Sequence, residues 1–418
     1  MRFGVFYELQ LPRPWDEGAE HRLFHEALDQ VVLADKLGLD YAWEVEHHFL
    51  EEYSHSSAPE VFLAAAAART ENIRLGHGIR QVIANYNHPA RTAETIGTLD
   101  LISNGRVDFG IGEGATRLEL GGFDIPAKTK RAMSFEAAEE IANMMTMSPY
   151  PGHEGASFSM PCRNVLPKPM QKPHPPMWMA CTNRDTIKVA ARNGLGALAF
   201  SFVDPEEAQA WSQIYYDIIK SEECIPIGHS VNANLAVVSA FSIHADRLEA
   251  IRRGQEGFEF FGFALQSLVA RDSLPGYSKI WESFQQERQV DTDEMLRRAA
   301  SDDPDDFAHA PGIGTPEDLI EHLGALQASG IDQVIFMQQC GNNRHEDICE
   351  ALELFAERVM PEVTQGREAR EARKAAELAP YIEAALARKP TRPALKENEV
   401  PVVRASVKKA EVNQSARA

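Results

Sequence analysis

Short apolar runs alternate with amphipathic stretches along nearly the whole chain, and no block of strands stands alone. That order constrains the fold more than any other feature. Strands separated by helices cannot close as hairpins, so they run parallel, and a parallel sheet needs helices over its faces. Strands are predicted at Phe3–Tyr7, Tyr41–Val45, Ile73–Ala84, Val107–Ile111, Met177–Ala180, Ala197–Phe202, Val231–Ile243 and Gln333–Met337. Helices are predicted between them over His21–Leu37, Pro59–Ala68, Pro89–Ile102, Ser134–Met147, Asp185–Asn193, Pro205–Glu222, Ala245–Val269, Thr315–Ser329 and Glu346–Val359. About eight β–α units over roughly 360 residues fit a closed (β/α)8 TIM barrel with insertions. A doubly wound open sheet is the rival arrangement.

Two stretches interrupt the rhythm. Ser148–Pro176 carries eight prolines and reads as an ordered excursion. Arg271–Pro311 is long, polar and broken by turn residues, as a mobile lid would be. Charge divides the chain further. The whole carries −20, but residues 365–418 hold 12 Lys/Arg against 7 Asp/Glu, a net of +5, so residues 1–364 carry −25. The expected organisation is therefore a barrel over 1–364 and a basic, partly helical and partly disordered tail over 365–418.

The acidic body argues against nucleic acid or an anionic membrane as the main partner. No apolar run approaches the ~20 residues of a membrane helix. The five cysteines are scattered without a C-x-x-C pair, which excludes a cysteine zinc site and suits reduced thiols in a cytoplasmic protein.

Chemistry-bearing residues gather after predicted strands, where a barrel builds its active face. Glu46-His47-His48-Phe49 follows the second strand and offers two imidazoles beside a carboxylate. Adjacent residues leaving a strand point in different directions, so one histidine faces a ligand. No further ligands at suitable spacing make this a metal site. Asn87-His88-Pro89 opens a helix, and Thr315-Pro316-Glu317-Asp318 caps another. Gly110-Ile111-Gly112-Glu113-Gly114 has G-x-G-x-G spacing with no helix directly after it. It fails as a dinucleotide fingerprint and instead lets a flat ligand approach the backbone. Ala180-Cys181-Thr182-Asn183-Arg184 joins a strand to a helix start, a geometry suited to a phosphate, with Arg184 adding charge.

Five segments together resemble the bacterial luciferase-like flavin-dependent monooxygenase family, its alkanal monooxygenase branch in particular. They are FGVFYE at Phe3–Glu8, EHHF at Glu46–Phe49, NHPARTAE at Asn87–Glu94, LDLISNGRVDFGIGEG at Leu99–Gly114 and GTPEDL at Gly314–Leu319. The resemblance covers Arg2–Val363 and implies the (β/α)8 fold. It implies His47 as the catalytic histidine with His48 its neighbour, and Arg131 as the arginine on the flavin phosphate. Thr182 matches a phosphate-binding serine, with Ala180 and Cys181 beside the flavin. Gly112 falls near the flavin ring, and Gly78 lies by the bulge that supports it. Glu113 departs from the family, standing where a second phosphate arginine is expected. A carboxylate there repels a phosphate by about 1–4 kcal/mol at ~4 Å. Either Arg184 compensates, or Glu113 turns away, or the cofactor binds weakly.

The activity implied is oxygenation of a small, mainly apolar substrate by reduced FMN (FMNH2) and O2 through a C4a-peroxyflavin. The alternatives are hydride transfer with F420 and a flavin-binding protein without catalysis. The dry volume is expected from Phe6, Trp43, Phe109, Trp178 and Phe200. No nicotinamide fingerprint occurs, so a separate NAD(P)H:flavin reductase is the expected partner. The alanine run Ala64–Ala68 permits close helix approach, and the resemblance implies a dimer through such helices.

Overall fold

The structure, a computed structural model, describes residues 1–301 and 309–404. Eight parallel strands close into a barrel. In chain order they are Arg2–Tyr7, Tyr41–Glu44, Arg74–Gln81, Val107–Gly112, Met177–Cys181, Gly196–Ala199, Leu235–Ala240 and Gln333–Met337. Each pairs with its neighbours in sequence, and the last closes on the first through Phe3–Val334 and Gly4–Ile335. Helices cross between consecutive strands, making this a (β/α)8 barrel rather than an open sheet.

Period-two alternation splits the strand residues into two layers. Phe6, Trp43, Trp178, Leu198, Val238, Ile335 and Met337 fill the barrel axis. Phe3, Val5, Tyr7, Leu75, Phe109 and Ile111 pack outward under the helices. Phe109 therefore does not line the dry interior, as the sequence suggested, because it sits one position out of phase with Trp178. The rings of Trp43 and Trp178 meet edge to face at 5.4 Å. They fit only because Gly76 and Gly196 lack side chains: a Cβ at either would lie 2.1 or 2.4 Å from the facing indole.

Two expectations change with the structure, and the tail gains detail. The proline-rich excursion contains an antiparallel hairpin, Tyr150–Glu154 with Ser159–Arg163. Strands this short and proline-interrupted give no periodic signal. The polar stretch from Arg271 carries two helices, Ile280–Glu287 and Thr292–Ala299, seated through buried Phe284 and Met295. Residues 302–308 of that stretch lie outside the described residues. The tail, expected to be partly helical, packs on the barrel. Arg367–Arg388 forms one long helix with Leu378 and Ala385 buried against the barrel. Arg2–Glu371 at 2.8 Å, Arg367–Asp40 at 3.1 Å and Lys374–Asp332 at 2.6 Å tie it to the amino-terminal ends of the strands. Arg392 continues the attachment to Glu140 at 2.7 Å. Residues 405–418 of the tail lie outside the described residues.

Candidate active site

The second strand ends at Glu44, and the chain then turns across the carboxyl-end rim of the barrel. His47 is anchored there by its own N–H, which donates to Ser56 O at 2.8 Å. Its ring is held from both sides. Nδ1 meets Glu119 Oε1 at 2.8 Å, and Nε2 lies 3.1 Å from Glu8 Oε1. Tyr53 packs edge-on to the ring at 5.8 Å. The Tyr53 hydroxyl also lies against Glu8.

The two carboxylates differ in their surroundings. Glu119 belongs to a capping box at the start of the helix Arg117–Gly122. It accepts from His47, from His48 N at 3.3 Å, and from Thr116 N and Oγ1 at 3.4 and 2.8 Å. Glu8, 2% exposed at the end of the first strand, has no aligned hydrogen bond at Oε1. The charges follow. Burial pushes Glu8 up to about 7, with His47 pulling against it and Glu119 adding to the rise. Burial also opposes ionisation of Glu119, but its donors outweigh that and hold it below the usual carboxylate range. Burial by itself would lower His47, yet Glu8 and Glu119 outweigh it and raise the imidazole to about 9. At neutral pH the rim thus holds an imidazolium between two carboxyl groups.

His48 does not share this array. Its Nε2 bonds Glu46 Oε1 at 3.1 Å, and its ring stacks on Tyr86 and meets Phe123. Glu46 in turn accepts from Gln81 N and Asn87 Nδ2, binding the second strand to the third. His48, expected as a second catalytic histidine, thus points away from the His47 array, since adjacent residues diverge.

A continuous set of contacts leads from His47 to the expected phosphate arm. The Arg117–Gly122 helix carries Glu119, Gly114 O just before it accepts from Lys130 Nζ, and Arg131 follows Lys130. Arg131 pairs with Glu113 at 3.3 Å, and Lys130 lies 3.6 Å from the same carboxylate. Two cations on one carboxylate leave a net +1. Arg184 pairs with Glu207, which accepts from its Nε and Nη2. Glu113 is compensated by its own neighbours instead.

At the helix start after the fifth strand, Asn183 is the cap, its Oδ1 accepting from Thr186 N at 3.0 Å. Thr186 Oγ1 takes the N–H groups of Thr182 and Asn183 at 2.9 and 3.1 Å. Those two donors are therefore spent, and the Thr182 hydroxyl accepts from Asn183 Nδ2 at 3.4 Å. Cys181 faces the helices, its Sγ against Met179 O and Thr186 O, and burial pushes the thiol up to about 12. Only its backbone faces the rim, whereas Ala180 shares the Trp178 side of the strand. The charge of Arg131 is felt at Cys181, so the arm and this turn adjoin. Gly112 ends the neighbouring strand, where a Cβ would lie 2.0 Å from Ile79 Cδ1. Gly78 falls inside the register shift between His77 and Arg80, a bulge in the third strand. The helix at Arg117 opens three residues after Gly114, closer than the sequence suggested, though it is too short for a dinucleotide fold.

The covering helices are fastened to the same rim. Glu52, fully buried, accepts from Ser278 Oγ, Ile280 N, Trp281 N and Arg13 N. Glu51 accepts from Gly276 N and Ser278 N. Among the described residues no group of His, Cys, Asp and Glu is arranged to hold a metal ion. Two cavities, of about 170 and 870 Å3, lie elsewhere and are lined by neither His47, Arg131 nor Thr182.

Sequence reasoning missed Glu8, Glu119 and Tyr53. Glu119 was findable, since Thr116-Arg117-Leu118-Glu119 is a capping-box signature. Glu8 had only its place just past the first strand to mark it.

An acid–base array on the carboxyl-end rim of a parallel barrel is where a (β/α)8 enzyme carries its chemistry. A family model described as luciferase-like monooxygenase matches residues 1–333, and the chain belongs to that family. It is 23% identical over 374 residues to the alkanal monooxygenase alpha chain of Photorhabdus laumondii, spanning 86% of this chain and 97% of that one. It is 32% identical over 200 residues to the oxygenase component of the flavin-dependent trigonelline monooxygenase of Acinetobacter baylyi, 46% of this chain and 52% of that one. Among solved structures, the monooxygenase RslO1 from Streptomyces bottropensis superposes with a TM-score of 0.68 at 26% identity, covering 86% of this chain and 99% of that one.

Proposed function

We propose that this protein is the oxygenase of a two-component system. It takes reduced FMN from a separate NAD(P)H:flavin reductase and uses O2 to oxygenate a small, mainly apolar organic substrate. The observation that carries this reading is the His47 array, placed on the rim above an interior packed with Phe6, Trp43, Trp178 and Phe200. The relative named an oxygenase component supports the two-component arrangement.

The residues fit a flavin on two counts. Lys130, Arg131 and Glu113 sum to one positive charge, which suits a terminal phosphate. Trp43 Nε1, Gln81 Oε1 and Tyr86 Oη are buried polar atoms without partners near the rim ends of the second and third strands. A polar ring edge satisfies such atoms, and left bare each costs about 1–3 kcal/mol. Reduced flavin supplies two electrons to dioxygen, one oxygen atom passing to the substrate and the other leaving as water.

The chain's own residues do the rest. Arg131 and Lys130 bind the phosphate, with the Thr182 hydroxyl beside them. The backbone at Gly78, Ala180, Cys181 and Gly112 leaves room for a flat ring. Tyr53, Phe200 and Phe261 keep water from the His47 side of the rim. His47 holds and moves the proton that reduction of oxygen requires. Self-association through the helix Pro59–Ala67 belongs to the same proposal, since Val61 is 67% exposed beside small residues Ala64 and Ala65.

Anaerobic titration with reduced FMN, followed by rapid mixing with oxygen, tests the reading. Saturable binding and a return of oxidised-flavin absorbance slower than for free flavin are expected. Reoxidation at the free rate, or oxygen-independent hydride transfer with F420, would overturn it.

A further inference from the structure

Glu119 hydrogen-bonds His47 at Nδ1, while Glu8 is the carboxylate nearest Nε2, at 3.1 Å without an aligned hydrogen bond. A proton on this imidazole can be exchanged with either neighbour. The two neighbours are unequal partners for that exchange. Glu119 accepts four hydrogen bonds and is fixed in a capping box. Glu8 Oε1 stands 3.1 Å from Nε2, off the line of the N–H, with no hydrogen bond of its own.

We propose that Glu8 and His47 form a proton-exchanging pair: Glu8 takes up and returns the Nε2 proton, while Glu119 fixes the ring through Nδ1. Glu8 is thus a positioning residue that acts through His47, an inference that rests on the oxygenase reading for its use in turnover. In the exchange the Nε2–H bond breaks and an O–H bond forms at Glu8 Oε1. The imidazolium becomes a neutral imidazole that keeps its Nδ1–H on Glu119. The carboxylate becomes a carboxylic acid, and the charge of the pair is unchanged. The reverse step restores the proton to Nε2.

The surroundings favour both states. Glu8 is faced by His47 from the second strand's loop, Tyr53 from the turn after it, Glu119 from the Arg117–Gly122 helix, and Glu44 and Cys340 from the flanking strand ends. His47 is faced by Glu8, Glu119 and Glu46, with no cation among them. Carboxyl groups crowd the pair, so a proton is retained, and burial keeps Glu8 near the midpoint of its titration at neutral pH.

Ring-nitrogen NMR of the full chain carrying labelled histidine, without flavin, tests the pair. The wild type should show His47 inflections near about 7 and about 9, with the final proton on Nδ1. Glu8→Gln should lose the neutral inflection and keep the Nδ1–H tautomer. Glu119→Gln should keep the neutral inflection and lose the tautomer preference. Glu8→Asp should shift the neutral inflection rather than remove it, and serves if Glu8→Gln does not fold. A neutral inflection that survives in Glu8→Gln, or loss of the Nδ1–H form there, would overturn the proposal. In turnover, Glu8→Gln should lose the neutral limb of the kcat–pH profile with KM unchanged. Because the spectra need no flavin, failure of reduced FMN to bind would refute the oxygenase reading and leave the pair standing.

Discussion

The two ends of the barrel handle charge in opposite ways. At the amino-terminal end, the helix Arg367–Arg388 sets one cation against one carboxylate, as in Arg2–Glu371, Arg367–Asp40 and Lys374–Asp332. At the carboxyl end, one imidazole is left to serve Glu8 and Glu119, and Glu44 is pushed well above the carboxylate range by burial. Trp43 Nε1, Gln81 Oε1 and Tyr86 Oη are buried there without partners. Matched pairs at a half-exposed surface fix geometry and add little stability. A crowded, under-served set of acids is unfavourable as a fold and useful as a site. The comparison teaches that one end holds the barrel and the other works it.

His47→Ala probes the working end hardest. It should lower coupled oxygenation by about 100-fold or more, the contribution of a placed proton-transfer group, with excess hydrogen peroxide measured alongside product. Unchanged coupling would erase the contrast between the ends. Leu378→Ala probes the holding end, where that side chain is buried under the terminal helix. It should destabilise the fold by about 2–5 kcal/mol in denaturant melts and leave reoxidation kinetics alone. Arg131→Ala sharpens the division within the working end. It should weaken reduced FMN binding about 10- to 100-fold, the worth of a charge-assisted contact of ~1.5–3 kcal/mol, without changing coupling once saturated. The smallest effect is on thermal stability with pH. The raised imidazole stabilises fully below 6.5, and that contribution is lost as pH rises through about 9. Glu8, also raised, loses its contribution as pH rises through about 7. The melting temperature should therefore fall across the neutral-to-alkaline window, and His47→Ala should flatten that slope.

The fold was legible because its signal repeats. Pro89–Ile102 and Gln333–Met337 match their predicted bounds, and the tail helix begins just after Gly366, whose φ of 68° suits glycine. The hairpin at Tyr150–Arg163 was not legible, since its two five-residue strands pair with each other rather than with the barrel. For the site, the strand-end rule located the His47 segment but could not say what faces the ring. Glu8 and Glu119 are 111 positions apart in the chain, and only closure of the barrel brings them to one imidazole. Arg184 misled because a cation beside a helix start resembles a phosphate ligand until Glu207, one helix later, claims it.

Glu52 bears on how the covering helices could be exchanged. It lies five positions after His47 and accepts the first N–H groups of the Ile280–Glu287 helix. A chimaera that grafts residues 271–299 onto another barrel, to alter which molecules enter, must bring this glutamate's loop with it. Transplanted alone, the insert would arrive with its helix start unsatisfied, and the recipient's own rim would have nothing to hold it by.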